Sequence, residues 1–214
     1  MVMQTVIAIL IGYLFGCIQA AFILSKLVGK MDIREHGSGN AGASNITTIM
    51  GVKYGFIVGL VDVLKGLFAV LVIKWIYPGS PDLAYLSGIM AILGHIFPIY
   101  LKFKGGKGVS TSFGVALGLW PYFTVCASFF AVTWVVVALT WRYVSLASIC
   151  GSITFPVTLA IAIAMKRNWD LANLWPLLVA ATAIPILVIV LHRGNIKRLI
   201  AGTESKVHSR KDRS

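Results

Sequence analysis

Nine consecutive residues, Gly37-Ser38-Gly39-Asn40-Ala41-Gly42-Ala43-Ser44-Asn45, combine glycine with short polar side chains. Glycines let backbone N–H groups converge on an anion, and Ser and Asn add donors. Phosphate binding is the chemistry this suits. The letters also satisfy G-x-G-x-x-G at Gly37, Gly39 and Gly42. A dinucleotide fingerprint, however, follows a strand in a βαβ unit. Here residues 5–25 precede it without one charge, so context excludes that cofactor.

A second glycine segment, Lys104-Gly105-Gly106-Lys107-Gly108, resembles a Walker A loop but departs from it twice. Leu101 stands where the first Gly belongs, and Gly108 where a Ser/Thr would hold Mg²⁺, so ATP is not expected. Two lysines opening a helix still suit an anion, because helix N-termini and ammonium groups both attract phosphate. The blander alternative makes Lys102, Lys104 and Lys107 topology signals only. His192 and Asn195 are spaced i, i+3 and share a face if the last apolar helix continues past Leu191. His95 closes another helix, just before a proline. Each histidine alone also fits a satisfied interfacial residue. Asp62 and Lys65 lie i, i+3 inside an apolar segment, where ionisable groups are costly unless paired. They form either a mutually satisfied ion pair or a source of positive potential beneath the first loop. No carboxylate pair suits acid–base work, and no His/Cys/Asp set suits a metal. Cys17, Cys126 and Cys150 lie in apolar runs and read as packing residues.

Composition says what must position these groups. Of 214 residues, 58% are apolar and 12% charged, against about 25% charged in soluble domains. The expected fold is all-α: one polytopic membrane domain, 1–214, with a short basic tail at 203–214. A span needs about 20 apolar residues. Candidate spans are 5–25, 54–76, 83–101, 108–120, 122–141, 145–165 and 172–191. The uncharged stretch 108–141 counts as two, broken near Gly118 and Pro121, because basic residues flank both of its ends. One side of the membrane then receives fifteen basic residues. These are Lys26, Lys30, Arg34, Lys53, Lys102, Lys104, Lys107, Arg142 and the seven from Arg193 to Arg213. The other side receives Lys74, Lys166 and Arg167, and Lys65 stays inside a helix. The positive-inside rule puts the N-terminus outside and the C-terminus in the cytoplasm. Trp75, Tyr77, Trp169 and Trp175 fall at the outer ends, where aromatic belts form. Met-Val-Met-Gln-Thr lacks a basic n-region, so no cleaved signal peptide is expected. Gly12/Gly16, Gly55/Gly59 and Gly114/Gly118 are small-xxx-small pairs suited to close helix packing.

All the unusual polar segments fall on the basic side, and together they resemble the bacterial acyl-phosphate:glycerol-3-phosphate acyltransferases, integral membrane enzymes. Gly37–Asn45 resembles the family's first motif. Gly94-His95-x-Phe97-Pro98, running on to Phe103-Lys104-Gly105-Gly106-Lys107-Gly108-Val109, resembles the second. Arg142-Tyr143-Val144-Ser145-Leu146-Ala147-Ser148 and His192-Arg193-x-Asn195-Ile196-x-Arg198-Leu199-x-x-Gly202-x-Glu204 resemble the later ones. Thr48 and Leu191 stand where the family usually has arginine, which removes positive charge from the presumed phosphate site.

The resemblance implies acyl transfer from acyl phosphate to the 1-hydroxyl of sn-glycerol 3-phosphate, giving lysophosphatidic acid and phosphate at the cytoplasmic face of the inner membrane. The donor's phosphate falls to Gly37, Ser38, Gly39, Asn40, Gly42, Ser44 and Asn45. The acceptor falls to Lys104, Lys107, Ser145, His192 and Asn195. Ser38, Lys107, His192 and Asn195 are the implied catalytic set. No cofactor, metal or nucleic acid is expected. Implied partners are the two substrates, the bilayer and the enzyme that supplies acyl phosphate. The H-x₄-D pattern of acyl-CoA-dependent glycerolipid acyltransferases is absent. Two competing classes predict other patterns. A small-anion transporter or channel predicts mid-membrane polar groups and paired repeats. A lipid-binding scaffold would use the basic tail but not the glycine loops.

Overall fold

The computed structural model describes residues 1–165 and 171–207, which are helical with connecting turns and no strand. Lys166, Arg167, Trp169, the side chain of Trp175 and the end of the basic tail lie outside the described residues. The chain divides into two compact units, Met1–Leu119 and Trp120–Ser214.

The first unit holds six helices: α1 (Val2–Cys17), α2 (Ala20–Leu27), α3 (Ala43–Met50), α4 (Val52–Ile76), α5 (Pro81–Ile96) and α6 (Val109–Gly118). Short 3₁₀ turns sit at Ile33–Glu35 and Ile99–Leu101. The expected first span is interrupted at Ile18–Gln19, which separates α1 from α2. Gly51 lies between α3 and α4 with φ 101°, a value glycine adopts readily, so the chain turns there with one residue. Pro81 opens α5 at a position where its missing N–H costs nothing.

Small residues let these helices touch backbone to backbone. A Cβ on Gly12 would run into the Ser87 carbonyl, and one on Gly16 into that of Ala91. α1 and α5 therefore run parallel in close contact. Gly66 meets Thr111, Gly114 meets Val63, and Gly118 meets Val70, so α6 runs parallel to the second half of α4. Lys74 Nζ closes that contact by donating to the Gly118 carbonyl at 2.7 Å. Ser87 Oγ ties α5 to α4 through the Ala69 carbonyl at 2.8 Å. Two of the three small-xxx-small pairs thus work as packing seams. In the third, Gly55 faces Thr47 of α3 while Gly59 is loosely packed.

The second unit holds α7 (Tyr122–Trp141), α8 (Val144–Met165), α9 (Leu171–Leu191) and α10 (Arg193–Ile200). α7 and α8 are stitched by Trp134 Nε1 donating to Ser148 Oγ at 3.3 Å and by an edge-on pair, Phe123–Phe155.

Among the described residues, five helical stretches are long and apolar enough to cross a membrane: Val2–Leu27, Val52–Ile76, Pro81–Leu101, Phe123–Trp141 and Val144–Met165. A sixth arises if Leu178–Leu191 and Arg193–Ile200, bent by 57°, count as one. The stretch expected at 108–120 is a helix of 10 residues. At 1.5 Å per residue it covers about 15 Å, half the hydrocarbon thickness. The protein is multi-pass and integral to the membrane. Cys17, Cys126 and Cys150 form no disulfide among the described residues, and the first two are buried.

Candidate functional site: two glycine loops

The first loop is organised by Asn45, from the opening turn of α3. Its Oδ1 accepts from Ser38 N at 3.0 Å. Its Nδ2 donates to the carbonyls of Ile33, His36 and Asn40 at 3.1, 2.9 and 3.1 Å. Asn45 is buried, so its amide holds the loop's shape instead of facing a ligand. Gly37 and Gly39 take the left-handed values φ 58° and 71° that this wrapping needs. Gly39 N is engaged with the His36 carbonyl at 3.1 Å. That N–H is therefore engaged within the loop. α3 starts after Gly42 with no side-chain cap, which leaves first-turn N–H groups beside the exposed Ser44. Ser38 is exposed on the same loop, and no hydrogen bond joins its Oγ to a base among the described residues.

The rim of this loop is a fixed ion pair. Arg34 grips Asp32 with Nε–Oδ1 at 3.0 Å and Nη2–Oδ2 at 2.8 Å. That side-chain hydrogen bonding holds the Asp32 carboxyl down at about 2, against an ordinary 3.8. Thr48 is exposed, its Oγ1 donating to the Ser44 carbonyl at 3.1 Å.

The second loop leaves the end of α5 and enters α6. Gly105 N donates to the Ile96 carbonyl and Gly106 N to the His95 carbonyl, both at 3.1 Å. These bonds satisfy carbonyls that a helix end leaves unpaired. Lys102 and Phe103 are both left-handed without being glycine, at φ 55° and 61°. Gly108, at φ 82°, is the N-cap of α6 and supplies no side-chain cap. Lys104 is exposed and Lys107 half-buried. Two bonds join the loops: Asn40 Nδ2 donates to the Gly105 carbonyl at 3.5 Å, and Arg34 Nη1 to the Leu101 carbonyl at 3.4 Å. The two glycine motifs, joined by residues 65 apart in sequence, thus lie side by side.

In the second unit the predicted residues gather around Glu204. α10 ends in a Schellman motif, with Thr203 N on the Arg198 carbonyl at 2.8 Å, Gly202 N on that of Leu199 at 3.2 Å, and Gly202 at φ 70°. The reversal brings Glu204 back against the start of α8. Ser145 Oγ donates to its Oε1 at 2.7 Å, Asn195 Nδ2 to Oε1 at 2.5 Å, and Arg198 Nε to Oε2 at 2.7 Å. Burial opposes ionisation of Glu204, but these three donors outweigh it and hold the carboxyl below its ordinary value. Val207 N then pairs with the Arg142 carbonyl at 2.9 Å. The helix does not continue straight past Leu191, so His192 sits at the bend, buried, with Nδ1 on the Val188 carbonyl at 2.8 Å. A carbonyl only accepts, so Nδ1 carries a proton, and in the neutral imidazole the lone pair is then on Nε2.

Sequence reasoning missed Gln19 and gave Glu204 no role. Gln19 is fully buried at the α1–α2 break and donates to the His95 carbonyl at 2.9 Å. A lone Gln in an uncharged run was its only signal.

Glycine loops leading into helix starts without side-chain caps, carried on apolar helices, define a membrane-embedded protein. The chain belongs to the glycerol-3-phosphate acyltransferase family, whose model matches residues 6–202. It is 43% identical over 205 residues to a glycerol-3-phosphate acyltransferase of Thermoanaerobacter pseudethanolicus, covering 96% of each chain. It is 42% identical to one from a Bradyrhizobium species, again over 96% of each. Its fold matches the crystal structure of PlsY (YgiH), an integral membrane glycerol 3-phosphate acyltransferase, in its glycerol 3-phosphate form. The TM-score there is 0.81 at 35% identity, over 94% of both chains. The lysophosphatidic acid form of PlsY gives 0.77 at 34%.

Proposed function

We infer that this glycerol-3-phosphate acyltransferase takes its acyl group from an acyl phosphate and delivers it to the 1-hydroxyl of sn-glycerol 3-phosphate, releasing lysophosphatidic acid and phosphate. The observation that carries this is the juxtaposition of two glycine loops, each feeding an uncapped helix start, which suits two phosphate groups held near one another. We assign the donor phosphate to Gly37–Ser44, with Asn45 shaping the loop, and the acceptor phosphate to Lys104 and Lys107. On the family resemblance alone, Ser145, His192 and Asn195 are assigned to the acceptor as well.

An acyl phosphate is a mixed anhydride and already activated, so no covalent enzyme intermediate is required. Positioning supplies about 7–11 kcal/mol. N–H donors aimed at the developing oxyanion add roughly 3–4 kcal/mol each. The hydroxyl attacks the acyl carbon, the C–O bond to phosphate breaks, and the departing phosphate is one acceptor for the proton. His192 Nε2, with its lone pair, is the other candidate.

We further propose that residues 1–214 act as one domain in a bacterial inner membrane with seven crossings, the N-terminus outside and the glycine loops cytoplasmic. The end of α6 beside Lys74, at the far end of α4, supports the short seventh crossing. The enzyme supplying acyl phosphate is the proposed protein partner.

Kinetics of lysine variants test the loop assignment. Lys107→Ala should raise KM for glycerol 3-phosphate by about 2–4 kcal/mol in binding, because truncation leaves a partly desolvated phosphate unpaired. Lys102→Ala, exposed on the turn, should change little. Equal, mild effects would make these lysines topology signals.

A further inference from the structure

Beneath the second loop lies a set of buried polar contacts for which the reaction above has no use. Lys65 and Asp62 sit one turn apart on α4, their side chains 2% and 3% exposed. An ammonium has three N–H donors and no acceptor. Lys65 Nζ has three partners: it donates to the Ile18 carbonyl at 2.5 Å, meets His95 Nδ1 at 2.7 Å, and forms an ion pair with Asp62 Oδ1 at 2.7 Å. Ile18 caps the end of α1, so the cation also meets the negative end of that helix.

A donor-only ammonium forces His95 Nδ1 to accept. The imidazole is then neutral, with its proton on Nε2. That nitrogen lies directly under Gly106, where an added Cβ would run into it. His95 therefore meets the loop twice: its ring under Gly106, and its carbonyl on Gly106 N. The Gln19 amide, donating to the same carbonyl, fixes it from the far side.

We propose that Lys65 is a positioning residue for the acyl transfer. Through the Nδ1 contact it locks the tautomer and rotation of His95, and so holds the 104–108 backbone in the form that receives the acceptor's phosphate. This rests on the reading that the 104–108 loop binds that phosphate. It accounts for a cation kept at membrane depth with three partners. It also accounts for the bare glycine at 106, since any side chain there would displace the ring.

The test uses the full chain in lipid nanodiscs, with Lys65→Met, Lys107→Ala and the charge-neutral pair Asp62→Asn/Lys65→Met. The pair stands in if the single variant fails to fold. ¹⁵N spectra of histidine-labelled protein, which carries four histidines, read the His95 ring directly. The expected result is a neutral Nε2–H ring in the parent that becomes a tautomer mixture in the variants. KM for glycerol 3-phosphate should rise at least tenfold, with KM for acyl phosphate within threefold. An unchanged acceptor KM beside a raised one in Lys107→Ala overturns the role of Lys65 and leaves the loop assignment standing. Unchanged values in both overturn the loop assignment and the inference with it. A fall in kcat alone, or an unaltered His95 spectrum, also overturns it.

Discussion

Thr48 shows how one residue shifts the site. It stands on the exposed side of α3, one turn beyond Ser44, where the family usually carries arginine. The two glycine loops adjoin there, and on the family resemblance a guanidinium at this position makes a charge-assisted contact with the acceptor's phosphate. Thr48→Arg should lower KM for glycerol 3-phosphate about tenfold, taking roughly 1.5 kcal/mol for one such bond. The gain should shrink as salt rises. An unchanged or higher KM would mean that another cation, with Lys53 the first candidate, already fills the role. At this scale residue type was legible, but partner was not. Asn45 reads as a donor for a ligand because Asn in a glycine loop commonly is one. Its four contacts to the loop depend on how α3 folds back over residues 33–40, which no local pattern encodes.

On the proposed assignment the loops and their helix starts are the working elements, and they make unequal demands on their glycines. Gly39 is left-handed at φ 71°, where an L side chain costs about 1–2 kcal/mol. Gly42 is in the ordinary extended region at φ −137°, and a Cβ there meets only the movable Asn40 amide at 2.8 Å. Gly39→Ala should therefore damage activity more than Gly42→Ala, whose main effect is to push Asn40 off the Gly105 carbonyl. Full activity in both, at normal expression, would make the loop a plain connector. The Glu204 hub has a pH signature. Its folded pKa lies below the ordinary 4.5, so its contacts stabilise fully above that value and fade as pH falls through the lower folded one. Hydrogen-exchange protection of the Val207 amide should drop between pH 7 and pH 3, and Glu204→Gln should flatten that dependence. A pH-independent protection factor would contradict the hub. Helix identity was legible from apolar runs and glycine spacing. The break at Ile18–Gln19 and the Schellman turn at Gly202 were not, because each is set by contacts with distant residues.

At the scale of the molecule, the proposed topology rests on charge placement. Asp82 begins α5 and Lys206 follows α10. In intact cells an impermeant thiol reagent should label cysteine placed at 82 and not at 206, as the basic asymmetry requires. The reverse result inverts the orientation. The apolar runs did not reveal that α6 is only 10 residues long. α6 begins beside the middle of α4, where Gly66 meets Thr111, and so covers only the second half of that helix. The sequence motifs placed the chain in its family, but the acyl donor rests on chemistry. The purified protein, given glycerol 3-phosphate with either palmitoyl phosphate or palmitoyl-CoA, decides it. Lysophosphatidate should form from palmitoyl phosphate, with equimolar phosphate release and no metal or ATP added. Product from palmitoyl-CoA alone, or from neither donor, would contradict the account.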